Sequence, residues 1–422
     1  MTGANKGIEL ADFNTENNNS LPPERKVFGV KLTVFFLGLT SLFADISSEM
    51  VYPYLVIFLS SVLHVSTIPI GFIEGLAEST ASISKVFSGW LSDRIGRRKG
   101  LTALGYSVGI FSRPLLALTQ TWPQVAFLRF FDRLGKGTRT SPRDALIADT
   151  TPEPQRGRAF GVHRTLDTIG AILGPAAALL VFFIMGQKDI RALFVIAGIP
   201  ALIATLLLIF FVREARHKAP AAERPKITLS IFNRRFRFFV LIVTVFALGN
   251  SSDVFLILRA KNLGVSSNYI IGALYLSFNV TYALFATPAG IISDRIGRRA
   301  VIVIGYLGFA VVYLGFAFAP SYYYLWPLFV LYGTYPALTD AVQRAFAADL
   351  APEELRATGL GVFHFFVGLA AFPASFIGGL LWQYISPEAT FLYGVAGALL
   401  AVVLFVGVFP RVARRETAQI SS

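Results

Sequence analysis

The sequence predicts an all-α membrane protein of twelve transmembrane helices, built as two copies of a six-helix half with both termini cytoplasmic. Three observations predict it. Hydrophobic residues make up 54% of the 422-residue chain and charged residues only 15%, more apolar surface than a soluble domain can hide from water. The apolar residues gather into twelve segments, most of them long enough to cross the hydrocarbon layer as a helix. Finally, an eleven-residue stretch occurs twice, at Gly89–Lys99 (GWLSDRIGRRK) and at Gly290–Ala300 (GIISDRIGRRA). The copies start 201 residues apart, at 89 and 290, and are identical over seven positions from Ser92 and from Ser293.

Residues 1–30 are polar and rich in Asn. They lack the apolar core of a cleavable signal peptide and read as a disordered cytoplasmic tail. The first half, 31–212, carries segments at about 32–62, 68–91, 101–119, 123–148, 159–184 and 191–212. The stretch 213–237 is basic and polar, with Pro220 and Pro225, and reads as a cytoplasmic linker between halves. The second half, 238–410, carries segments at about 238–260, 268–291, 300–319, 323–348, 357–384 and 388–410, and 411–422 is a second cytoplasmic tail. Backbone in hydrocarbon must satisfy its own hydrogen bonds, so these segments are helices. Pro53, Pro114, Pro142, Pro175, Pro288, Pro336 and Pro373 fall within them, as spanning helices tolerate.

Charge sets the orientation. With the N-terminus inside, the inner segments hold the Arg and Lys of both repeated stretches, Arg156, Arg158, the basic linker, Arg356, Arg411, Arg414 and Arg415. The outer loops hold Lys188, Arg191, Arg259 and Lys261. That asymmetry places both termini in the cytoplasm. It also accounts for most of the formal charge of +13 and leaves no ground for a nucleic-acid partner. The chain has no cysteine, so neither disulfides nor thiol chemistry enter.

The duplication extends further. Ala148-Asp149, Pro152-Glu153, Arg156 and Gly161-Val162 recur at Ala348-Asp349, Pro352-Glu353, Arg356 and Gly361-Val362, and Gly170 and Pro175 echo at Gly368 and Pro373. Repetition at three places with nearly one offset marks an internal repeat.

These residues carry a family resemblance over about 30–415. The chain resembles the major facilitator superfamily of secondary transporters, and in motif pattern its proton-coupled exporters of drugs and organic solutes. Gly89–Arg98 and Gly290–Arg299 are similar to that family's loop signature. Gly170, Gly174 and Pro175 resemble the glycine-proline signature of the fifth helix, with Ala178 at its last glycine position, and Arg133 with Gly137 resembles the signature of the fourth helix. The resemblance implies two pseudo-symmetric six-helix bundles flanking a cavity that opens to each side in turn. It implies a proton gradient as energy source, with no cofactor.

Read physically, Gly89 and Gly290 permit close helix approach. Gly96 and Gly297 sit in the turns. Asp93, Arg94, Arg97 and Arg98, with Asp294, Arg295, Arg298 and Arg299, lie at cytoplasmic helix ends, where they either latch the bundles together or merely enforce topology. Gly170, Gly174 and Pro175 form a packing face with a bend.

Ionisable residues inside spans are costly and point to function. Asp45 and Glu49 share a face of the first helix, Glu74 and Glu78 one of the second, and Asp253 lies in the seventh. With Asp132, the proton-coupling candidates are Asp45, Glu49 and Asp253. In the fourth helix, Arg129, Arg133, Lys136, Arg139 and Arg143 form one cationic stripe, with Asp132 and Lys136 as a possible pair one turn apart. The stripe is either a charge network, with Asp45, Glu49, Asp144 and Asp167 as counter-ions, or in part a seat for an anionic substrate. On the second reading Arg133, Lys136, Arg139 and Arg143 bind substrate. Charge recognition then belongs mainly to the first half, with aromatic surface from both.

His163 and His364 lack further ligands at metal-binding spacing, so no metal site is expected. No phosphate-cradling glycine loop or nucleophile elbow is present. The expected function is therefore not enzymatic. It is secondary transport of a small amphiphilic or anionic organic solute, by a monomer in the cell membrane whose partners are its solute and the lipid bilayer. Proton-coupled export leads, with import or uniport of an organic anion as the alternative, and a non-transporting receptor or a metal exporter further behind.

Overall fold

The computed structural model describes residues 26–186, 189–214 and 231–409. Most of the expected N-terminal tail, the middle of the linker at 215–230 and the tail at 411–422 lie outside the described residues. Within the expected tail, residues 26–30 belong to regular structure. Lys26–Val27 and Val30–Lys31 form a two-stranded hairpin. Its turn residues Phe28 and Gly29 have φ of 51° and 76°, the left-handed geometry that matches strand twist in a two-residue turn.

The rest is helical. The first half comprises α1 (Leu32–Ile57, continued by a π-turn over Phe58–Val62), α2 (Thr67–Ile95), α3 (Arg98–Leu116), α4 (Trp122–Thr150), α5 (Arg156–Met185) and α6 (Ile190–Phe211). The second comprises α7 (Arg234–Gly249), α8 (Val254–Asn262), α9 (Asn268–Ile296), α10 (Arg298–Phe318), α11 (Leu325–Leu350), α12 (Arg356–Tyr384) and α13 (Pro387–Val403). All seven prolines expected inside helices are inside helices.

One expected helix is divided. The segment 238–260 becomes α7 and α8, broken at Asn250–Asp253. There Gly249 lies against Gly397, where an added Cβ would come 2.9 Å from the glycine backbone. Asn250 donates to the Tyr335 hydroxyl at 2.9 Å, and Asp253 accepts from Tyr332 at 2.6 Å. Side chains that bond outward in this way leave the helical ladder unfinished.

The internal repeat survives in three dimensions. In the first half α1 packs on α5 and α6, α4 on α2 and α3, and α3 on α6. In the second, α7 packs on α12 and α13, α11 on α9 and α10, and α10 on α13. Both repeated stretches form tight hairpins. Gly96 ends α2 at φ 67°, its N–H bonding the Ser92 carbonyl, and Gly297 alone separates α9 from α10 at φ 93°. These are left-handed positions that a side chain strains. The second repeat also recurs as structure. Glu153–Gln155 and Glu353–Leu355 are single 3₁₀ turns. Arg156 pairs with Glu153 at 3.2 Å, and Arg356 with Glu353 at 3.5 Å.

Among the described residues, eight helical stretches are long and apolar enough to cross a membrane. The remaining α2, α3, α4 and α11 are more polar, and carry Glu74, Glu78 and Lys85, Arg113, the cationic stripe, and Asp340 with Arg344. The outer surface is apolar, with Phe183 77% and Phe210 73% exposed. Faces of that kind are at home in lipid.

Candidate functional site: a charged cavity between the halves

The two halves meet along α2 with α12 and α5 with α9. The contact is tightest around the first turns of α2. Gly71 lies so near Ser375 that a Cβ would stand 2.3 Å from its carbonyl oxygen, Gly75 lies against Phe372, and Gly379 against Thr67. Thr67 donates to the Gly379 carbonyl at 3.2 Å and Ser79 to Gly368 at 2.6 Å. Phe72 meets Phe372 edge-on at 5.6 Å. This end of the molecule is sealed, and it is the end away from the repeated loops.

Beyond the seal lies a cavity of about 610 Å³, with a side chamber of about 330 Å³ that shares Glu49, Lys136, Asp253 and Tyr275. The first half supplies Asp45 and Glu49 from α1, Lys85 from α2, Lys136, Arg139, Arg143 and Asp144 from α4, and Arg164 and Asp167 from α5. The second supplies Asp253, Asp340 and Arg344, and the rings of Tyr275, Phe278, Tyr282, Tyr332 and Tyr335. Aromatic surface was expected from both halves, but the cavity's aromatic wall comes from the second. Tyr275 and Phe278, Phe278 and Tyr332, and Tyr332 and Tyr335 lie 5.6, 5.4 and 5.7 Å apart, an unbroken sheet of rings.

The carboxylates differ in their partners. Glu49 accepts from the Tyr275 hydroxyl at 2.8 Å, and Asp253 from Tyr332; both bonds tie the acid to an aromatic of the wall. Asp45 stands 3.8 Å from Arg139. So three of the four coupling candidates, Asp45, Glu49 and Asp253, converge on one cavity although they come from α1 and the α7–α8 break.

Asp132 does not line it. Arg113 holds it at 3.3 Å, Arg129 at 3.8 Å and Ser112 at 3.1 Å, deep in the first half. The anticipated Asp132–Lys136 pair gives way to these arginines, and Lys136 points into the cavity instead.

The stripe on α4 is largely neutralised. Arg129 is 4% exposed and forks onto Glu74 through two bonds of 3.0 Å, the bidentate geometry that guanidinium suits. Arg133 pairs with Glu78 at 3.3 Å and lines the side chamber. Arg139 stacks over Tyr106 at 4.2 Å beside Asp45. Arg143 bonds Asp144 at 2.9 Å and Ser41 at 2.8 Å. Of the four substrate-binding candidates, Lys136 alone is without a carboxylate in ion-pair range among the described residues.

The loop charges act within each half in this conformation. Arg98 pairs with Asp149 at 2.7 Å and with Asp93 at 3.4 Å. The repeat copies the first pair as Arg298–Asp349 at 2.6 Å. Arg94 covers Trp90, and Arg299 donates to the Val406 carbonyl. Asp294 and Arg295 are exposed, as is Arg97. Gly89 approaches Ser141, with 3.3 Å left for a Cβ, whereas Gly290 faces open space, so close helix contact explains the first glycine but not its copy. Gly170 and Gly174 do pack closely, against Leu42 and Asp45 and against Ile46 and Glu49 of α1. They thereby fix the two acids' helix beside Pro175.

Sequence reasoning did not single out Lys85, Arg113, Arg164 or the tyrosine wall. The first three sit inside or at the edge of helices, and a uniform search for ionisable residues in apolar segments would have found Lys85 and Arg113. The tyrosines left no such mark, since aromatic residues are common throughout this chain.

The comparisons with known proteins agree with this architecture. The model of the Major Facilitator Superfamily matches residues 37–266 and 251–422. An uncharacterized MFS-type transporter of Methanocaldococcus jannaschii is 38% identical over 94% of this chain and 99% of its own length. A cis,cis-muconate transport protein of Acinetobacter baylyi is 24% identical (78% of this chain, 82% of its own), and a multi-drug resistance efflux pump of Streptococcus pneumoniae 27% (65% and 70%). Among solved structures, a POT family transporter in complex with 5-aminolevulinic acid superposes with a TM-score of 0.78 at 13% identity, over 92% of this chain and 98% of its own. With duplicated helix packing, an interior charged cavity and a family match along both halves, the chain belongs to the major facilitator superfamily, as a multi-pass membrane transporter.

Proposed function

We propose that this protein is a secondary active transporter that moves a small organic solute, amphiphilic or anionic, by alternating access, and that it works as a proton-coupled exporter. The observation that carries the proposal is the cavity itself. It is sealed at one end by glycine-backbone contact, and it holds three carboxylates, Glu49, Asp253 and Asp340, bonded by tyrosine hydroxyls. An acid with no guanidinium of its own takes up and releases a proton without breaking an ion pair. The arginine-held Asp132 is built for permanence instead.

The reading includes twelve crossings, with α7 and α8 as one broken span. Both termini and the repeated loops lie on the cytoplasmic side, where Arg and Lys collect. In this conformation the cavity then faces the cytoplasm, and the loop charges become the latch when that end closes. One chain supplies both walls, so a monomer suffices. The proton gradient is the energy source, with no cofactor. Similarity to a muconate transport protein favours a second reading, import or uniport of an organic anion.

Reconstituted vesicles test both. We expect a pH gradient to drive movement of cis,cis-muconate or of ethidium. Asp45→Asn, Glu49→Gln or Asp253→Asn should reduce gradient-driven movement about tenfold or more while leaving exchange at equal pH in place, since each removes coupling rather than the pathway. Gradient-independent movement, or unchanged driven movement in all three variants, would reject proton coupling. The direction of net flux separates export from import.

A further inference from the structure

The cavity's charges do not cancel locally. Arg139, Arg143 and Arg164 each have a carboxylate within ion-pair range. Among the described residues Lys85 and Arg344 do not. Arg344 spends its Nε on the Asp340 carbonyl at 2.9 Å, which leaves its two terminal nitrogens. Lys85 has Lys136, Arg344 and Arg143 as cationic neighbours and Glu78 and Asp340 as acidic ones, and His364 shares the surroundings of Lys85 and Arg344. Lys136 is likewise without an ion pair among the described residues, but three acids, Asp45, Glu78 and Glu49, lie about it beside the cations Arg133 and Lys85. Lys85 on α2 of one half and Arg344 on α11 of the other thus line one cavity as cations without an ion pair among the described residues, with Asp340 as the acid near both. Across the same cavity runs the ring sheet of α9 and α11.

We propose that Lys85 and Arg344 form a single anion seat shared by the two halves. The substrate class is then an organic anion whose carboxylate or phosphate sits between them, while a flat unsaturated body lies on Tyr275, Tyr332 and Tyr335. This deepens the transport reading and rests on it. Like charges on opposite halves repel, and an anion placed between them replaces repulsion by attraction. The substrate thus supplies the force that draws α2 toward α11. A guanidinium meets such a group with two parallel bonds, and a flat body gains stacking without much conformational loss.

Binding to the purified full-length protein, followed by calorimetry, tests this without transport. The probes are trans-cinnamate, phenyl phosphate, their neutral relative cinnamamide, and inorganic phosphate. We expect cinnamate or phenyl phosphate to bind, and whichever binds names the anionic group. Lys85→Gln and Arg344→Gln should each weaken that binding about tenfold or more, while Lys85→Arg retains it. Cinnamamide should be weak and indifferent to both substitutions, and Tyr335→Ala should weaken the aromatic anions but not inorganic phosphate. Size-exclusion profiles and melting midpoints matching the parent's establish that the variants are folded. The proposal is overturned if neither aromatic anion binds, if Lys85→Gln and Arg344→Gln bind them as the parent does, or if cinnamamide loses affinity equally. In any of those cases, proton-driven movement of ethidium in vesicles would leave the transport reading standing.

Discussion

Glu74→Gln should unfold or severely destabilise the protein, whereas Glu74→Gln combined with Arg129→Met should restore much of the loss. Glu74 is 1% exposed and Arg129 4%, and the two form a forked pair with both bonds at 3.0 Å. Around them Asp132 and Arg113 complete a set of two acids and two cations, and the Arg129 guanidinium lies 5.4 Å from the Tyr52 ring. The set is neutral as a whole. Removing one carboxylate strands a cation where water cannot reach it, and breaking a buried pair in this way costs about 3–5 kcal/mol. Removing both partners strands nothing. The measurement is the yield of monodisperse protein and its melting midpoint in detergent, arranged as a double-mutant cycle. If Glu74→Gln melts with the parent, the pair is not a structural anchor. If the double variant is no better than the single one, the cost is lost packing rather than stranded charge.

This anchor shows where sequence reasoning stops. That Arg129 lies in an apolar helix was plain from the chain, and so was the conclusion that no lipid-facing helix carries such a stripe. Which acid meets which cation was not. Glu74 and Glu78 share a face of α2, yet one is spent on structure with Arg129 and the other edges a chamber with Arg133. Their fates depend on how α2 and α4 cross, which no local pattern states. The repeated stretch, by contrast, was legible in its turns, though not in the open space at Gly290 or in the partners of its charges. Its glycines at 96 and 297 are required by backbone geometry, a local property, and Arg98 and Arg298 find Asp149 and Asp349 because duplication carried both partners. The break at Asn250 was hidden, since composition alone makes 238–260 one apolar span; only the tyrosines of α11 explain why the chain lets go of its ladder there. Lys85 was visible and passed over, because attention went to carboxylates and to the stripe.

The last expected result concerns movement. Gly71→Leu should prevent the sealed end from closing. A Cβ at Gly71 would stand 2.3 Å from the Ser375 carbonyl oxygen, and at Gly75 it would stand 2.7 Å from that of Phe372. These neighbours are backbone, so no rotamer change relieves them. Each half keeps its own packing partners, so the cheapest response is separation of α2 from α12 rather than unfolding. Overpacking a tight contact costs about 1–3 kcal/mol, and at the upper end that shifts a two-state balance by roughly a hundredfold. The chain has no cysteine, so a single thiol reports cleanly. Ser375→Cys, 2% exposed at the parent's seal, should label slowly with a water-soluble maleimide applied from the sealed side. In the Gly71→Leu background it should label at least about tenfold faster, and substrate exchange should fall by a similar factor because the cycle can no longer complete. Equal labelling rates in the two backgrounds would mean that the α2–α12 contact yields without opening, and that the glycines at 71, 75 and 379 serve packing within one fixed shape.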